Sequence, residues 1–267
     1  MLEAVLRRDR YIVLAALTVA TGLAWVYVFW LASSMSIGAM NMSSKEMAAM
    51  TAPIFKPWSL RDFSFMLAMW VVMMIGMMTP SAVPMILLYA RVGRQSSTQD
   101  QPFTATVWFA AGYLLVWTGF SLVATLAQWI LESVALLTPM MATESNVFGG
   151  IVLMAIGIYQ WAPLKYACLD QCQAPLAFIQ RHGGFRRKAS ASLQLGAEHG
   201  AYCVGCCWAL MALLFVGGVM NTLWIAAITI LILLEKIIPT GRIIPRVVGF
   251  VLIAVGIRLL TMISKVV

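Results

Sequence analysis

The chain has 267 residues, 62% hydrophobic and 10% charged, with a mean hydropathy of +0.89 and a net charge of +8. A soluble domain carries roughly 25% charged residues, so this composition excludes an ordinary water-soluble globule and points to a bilayer. The basic excess is accounted for by orientation and anionic membrane lipid, and gives no argument for a nucleic-acid partner.

A spanning helix needs about 20 mostly apolar residues. Seven windows supply them, at 11–32, 63–89, 103–131, 147–161, 201–219, 223–238 and 243–262, the fourth and sixth being short. The expected fold is therefore all-α, a polytopic transmembrane bundle of about seven spans forming one integral membrane domain over 1–267. The basic start has no cleavage site of small residues behind it, so the first segment is expected to be retained. The outer loop at 33–61 is rich in methionine: Met35, Met40, Met42, Met47 and Met50 stand among serines and Asn41. The second segment continues with Met66, Met69, Met73, Met74, Met77 and Met78, and Met85 follows, so twelve of the 19 methionines fall between residues 35 and 85. Met66, Met69, Met73 and Met77 form one helical stripe. Pro80 and Pro84 remove two backbone donors and are expected to break or kink this helix. At membrane depth such a break is tolerated only against protein or a water-lined cavity.

Beyond the fourth segment lies a basic loop at 163–198, with Lys165, Arg181, Arg186, Arg187 and Lys188. Its Cys168 and Cys172 share a face if helical, and 175–195 reads as an interfacial amphipathic segment interrupted at Gly183-Gly184. The fifth segment opens with His199-Gly-Ala-Tyr-Cys203-Val-Gly-Cys206-Cys207-Trp208, and the sixth closes with Glu235-Lys236. Retained Lys and Arg mark the cytoplasmic side. Arg7, Arg8, Arg10, Arg91, Arg94, the 163–198 loop, Lys236, Arg242 and Arg246 then place the N-terminus inside, although Lys45, Lys56 and Arg61 dissent. The expected location is a bacterial inner (plasma) membrane, with all five cysteines at or near the cytoplasmic face. Thiols there stay reduced, which favours metal binding or redox work over structural disulfides.

His199, Cys203 and Cys206 or Cys207 share a helical face, beside Cys168 and Cys172. Thiolate and thioether ligands select copper(I), with zinc the lesser alternative. Free cysteine and methionine also serve as plain core residues, so the clustering carries the argument rather than any one residue. The candidate ligands are His199, Cys203, Cys206, Cys207, Cys168 and Cys172, with Met69, Met73 and Met77 in the membrane and Met40 and Met42 as outer capture groups. Glu198 is a candidate acceptor for the His199 ring. Glu235 in a span needs a partner, for which Lys236 and Arg242 are the nearest in sequence. His182 reads as a solvated loop residue. No catalytic triad, phosphate-binding glycine loop or ATPase signature is present.

Met73-Met74-Ile75-Gly76-Met77-Met78-Thr79-Pro80-Ser81 with Pro84, Tyr159-Gln160 to Pro163-Leu164-Lys165, Cys168-Leu169, Cys172, the run Gly200 to Met211 and Glu235-Lys236 together resemble one bacterial family. It is the domain-of-unknown-function family described as predicted metal-binding integral membrane proteins. The resemblance covers most of the chain from the second helix onward, omits the methionine-rich loop, and implies metal binding with no established substrate. The expectation is a copper(I)-binding membrane protein, not an enzyme, that moves or delivers copper towards the cytoplasm. Its expected partners are membrane lipid, a soluble copper chaperone or copper enzyme, and a second copy in a homo-oligomer. Two alternatives stand beside it. One is a membrane thiol-disulfide oxidoreductase using the CxxCC cluster. The other is an assembly subunit stabilised by its metal.

Overall fold

The computed structural model describes residues 2–40, 58–96, 102–134, 136, 141, 143, 145–186, 188–238 and 242–263, excepting the side chains of 2–10, 35–40, 95, 96, 102, 103 and 263. Among them the regular elements are nine helices: α1 (Leu2–Met40), α2 (Leu60–Ser96), α3 (Pro102–Ser133), α4 (Asn146–Tyr159), α5 (Pro163–Gln173), α6 (Pro175–Arg181), α7 (Ala189–Gly217), α8 (Thr222–Ile237) and α9 (Ile243–Ile263). Five of them, α1, α2, α3, α7 and α9, are long and apolar enough to cross a membrane. The all-helical expectation holds, and five or six such spans replace the expected seven. The fourth segment is α4, whose 14 residues reach only about 21 Å. It passes into α5 through a 63° bend, and only taken together are the two long and apolar enough to count as a span. The sixth segment, α8, has 16 residues and is about 24 Å long.

Three boundaries differ from expectation. First, α1 runs on to Met40, so 33–40 are helical rather than loop; Ser33 and Ser34 turn their hydroxyls back onto the Trp30 carbonyl instead of leaving the helix. Second, α2 passes through Pro80 and Pro84 without interruption. Ser81 Oγ and Tyr113 OH both donate to the Met78 carbonyl in this turn. The break falls between α4 and α5 instead. Third, α7 begins at Ala189, far ahead of residue 201, because small residues there pack helix against helix. A Cβ on Gly112 or Gly196 would collide with the backbone of Leu193 or Phe109 respectively. The interfacial segment is accordingly reduced to α6, which ends before Gly183 and Gly184 at φ 89° and 78°.

Close approach through small residues, typical where lipid removes the hydrophobic drive, also seals α4 to α9. Gly157 and Gly249 each face the other's carbonyl, as do Gly150 and Gly256. The bundle is apolar on its outside as well as in its core, with a few buried polar groups. Leu23, Trp30, Leu115, Val123 and Phe250 point outward, while Gln128, Lys165, His199, Glu235 and Lys236 are buried.

Candidate metal centre

On α7, His199, Cys203, Cys206 and Cys207 follow helical spacing and are all buried, the three cysteines at 1% exposure. Cys203 is where the elements converge. Tyr113 of α3 brings its hydroxyl to 3.1 Å from Cys203 Sγ, and Lys236 of α8 donates to the same sulfur at 2.8 Å and to Ser81 Oγ of α2 at 3.0 Å. Cys206 donates to the Cys203 carbonyl at 3.1 Å and lies 3.2 Å, sulfur to sulfur, from Cys207. From α5, the half-buried Cys172 packs against the same core and interacts with Cys203 and Cys206. Four thiols are thus neighbours.

His199 is one turn before Cys203, its ring among Phe178 at 5.2 Å, Tyr113 at 5.8 Å and Phe109 at 6.1 Å. Its Nδ1 is buried without a hydrogen-bond partner. Such a nitrogen is costly unless something accepts its lone pair or proton. Glu198 is not that group: one of its carboxylate oxygens takes the Gln194 amide at 3.0 Å, and the other is also unpartnered. Cys168 stands apart from the four thiols. Its sulfur packs where a Cβ on Gly205 would be, 2.6 Å away. Among the described residues no three His, Cys, Asp or Glu side chains are arranged to hold a metal ion. The thiols are hydrogen-bonded to one another and to Lys236 and Tyr113 instead.

The methionine stripe faces the interior, with Met69, Met73 and Met77 each at 1% exposure. Contacts across the bundle give α2 and α7 an antiparallel register. Trp70 meets Phe215 at 5.4 Å, Lys236 bridges Ser81 to Cys203, and Tyr89 OH lies 3.1 Å from Ser192 Oγ. Equal rise along both helices then puts Met73 level with Met211 and Met77 level with Cys207. The stripe descends to the thiols. Cys203 is midway along α7, which starts twelve residues before the expected point, and it stands level with Lys236 in the last turn of α8. Met42 lies outside the described residues, as does the side chain of Met40. His182 is half-buried on α6, with Nδ1 2.8 Å from the Phe178 carbonyl.

Two functional neighbours were missed. Lys165 looks like one more basic loop residue, yet it is fully buried and pairs with Glu235 at 2.8 Å while donating to Gln160. Glu235 therefore pairs with neither Lys236 nor Arg242. Lys236 is the other, an ammonium held against a thiol. The signal for both was their place in the motifs that carry the family resemblance, Pro163-Leu164-Lys165 and Glu235-Lys236.

A bundle of long apolar helices around buried cysteines defines a class of helical proteins compatible with a membrane. The chain belongs to the PpoB2 copper chaperone family, whose model matches residues 67–259. The matched stretch contains all five cysteines, Met69, Met73 and Met77, and excludes Met40 and Met42. No curated protein and no solved structure matches the chain.

Proposed function

We propose that the chain binds copper(I) within a bacterial inner membrane and moves or delivers it towards the cytoplasm. The observation that carries this reading is the meeting of Cys172, Cys203, Cys206 and Cys207 beside the unpartnered His199 Nδ1. The methionine stripe descending to the same level supports it. Thioethers exchange a soft monovalent ion without proton release, whereas thiols must deprotonate to hold it. Copper binding exchanges the S–H hydrogen bonds of the cluster for metal–sulfur bonds, which requires the thiols to turn from one another towards a common ion. Soft ligands throughout favour copper(I) over zinc. With the N-terminus inside, the stripe occupies the outer half of α2 and the thiols stand level with the inner end of α8, beside Lys236. Delivery to a soluble copper chaperone or copper enzyme then proceeds from that inner store.

The test is copper(I) movement in sealed vesicles carrying the protein. Wild type is expected to load the lumen faster than empty vesicles, and Cys203→Ser/Cys206→Ser/Cys207→Ser to fall to the empty-vesicle rate. Equal rates for wild type and the triple variant remove the thiols from the path.

A further inference from the structure

A second polar feature lies away from the thiols, where α4 ends, α5 begins and α9 begins. Trp161, Pro163, Tyr166, Asp170, Arg242 and Arg246 line a cleft of about 410 Å³. Two observations make it more than a fold in the surface. Tyr166 is buried at 7% exposure, and its hydroxyl has no hydrogen-bond partner. The Arg242 guanidinium sits 4.6 Å from the Tyr166 ring centroid, stacked on the residue whose hydroxyl is unmet.

The charges choose the ligand. Two guanidiniums face one carboxylate, that of Asp170, leaving one net positive charge. A guanidinium fork suits the paired oxygens of a phosphate. A buried phenol hydroxyl without a partner would donate to the same group. The rim chooses the source. Trp161 stacks edge-on against Phe250 at 4.8 Å, and Phe250, Val247 and Val251 continue outward as an exposed apolar strip along α9. Aromatic and basic residues at a helix end followed by an apolar face match a headgroup with its acyl chains below.

We propose that this cleft binds the phosphodiester headgroup of a phospholipid, with Arg242, Arg246 and the Tyr166 hydroxyl holding the phosphate and the α9 strip holding the chain. The site is independent of copper. Its test uses the full chain in a maltoside detergent, which carries no phosphate. Short-chain phosphatidylglycerol is titrated in, and bound lipid is counted by native mass spectrometry alongside the thermal unfolding midpoint. Wild type is expected to retain one lipid more tightly than the rest and to unfold at a higher temperature. Arg242→Ala/Arg246→Ala is expected to weaken that lipid at least tenfold, and Tyr166→Phe several-fold. Tyr166→Phe should leave the lipid-free midpoint no lower than wild type, since it deletes an unpaired buried hydroxyl. This separates a binding role from misfolding. Undiminished lipid retention in both variants overturns the site. Equal protection by inorganic phosphate at the same concentration overturns the lipid assignment.

Discussion

Glu235 and Lys236 are neighbours of opposite charge that do not pair with each other, and the two centres they serve differ in kind. Glu235 closes a self-sufficient pair with Lys165, which also donates to Gln160, every member buried. Lys236 faces thiols, a phenol and a serine, with no carboxylate among its hydrogen-bond partners. The first network is complete in its charges, with only the Gln160 amide nitrogen left without a partner, and it pins α5 to α8. The second offers sulfur atoms whose only strong partner is a displaceable ammonium, beside a histidine nitrogen with none. A membrane interior tolerates ionisable groups where they pair or work. Here adjacent residues illustrate the two cases.

Breaking the complete network should cost most. Lys165→Met or Glu235→Gln strands a partner in the core, an effect of about 3–5 kcal/mol. Thermal unfolding in detergent should show a large drop for each, and Lys165→Met/Glu235→Leu should recover part of it. A double variant as unstable as the singles would mean the pair does not act as a unit. Next in size is Gly205→Ala. Its Cβ meets Cys168 Sγ at 2.6 Å, an overpacking of about 1–3 kcal/mol. Cys168→Ala in the same chain should relieve it, and because Cys168 stands off the cluster, the rescued protein should bind copper like wild type.

The open network should be cheaper to alter. Lys236→Met removes its own charge together with two hydrogen bonds, so a stability change of about 1 kcal/mol is expected, clearly below that of Lys165→Met. Equal losses from the two lysines would erase the distinction between the centres. Smallest is Met73→Leu/Met77→Leu, where a volume-conserving swap costs less than about 1.5 kcal/mol per site. Its expected signature is slower copper loading at an unchanged unfolding midpoint, followed by stopped-flow mixing with a copper(I) donor.

Much of this was legible in the primary structure. Hydropathy located every described helix long enough to span, and the Cys/His spacing located the buried cysteine face of α7, because period and polarity are local properties. Lys165 was not legible. A lysine just beyond a helix end looks like an orientation signal, and only the 63° bend between α4 and α5 turns it inward onto Glu235. The start of α7 was also hidden. Gly196, Ser192 and Gln194 lower the hydropathy of its first turns, yet close packing on α3 keeps them helical.

The central claim is that the Cys203 cluster is where copper sits. Copper K-edge absorption on the copper(I)-loaded protein, with the bound metal counted against a competing chelator, tests it most directly. Wild type should hold copper(I) in a sulfur-dominated shell, with Cu–S distances typical of thiolate. Cys203→Ser/Cys206→Ser/Cys207→Ser should lose that shell and most of the metal. A triple variant that keeps the same copper content and the same sulfur shell would contradict the account.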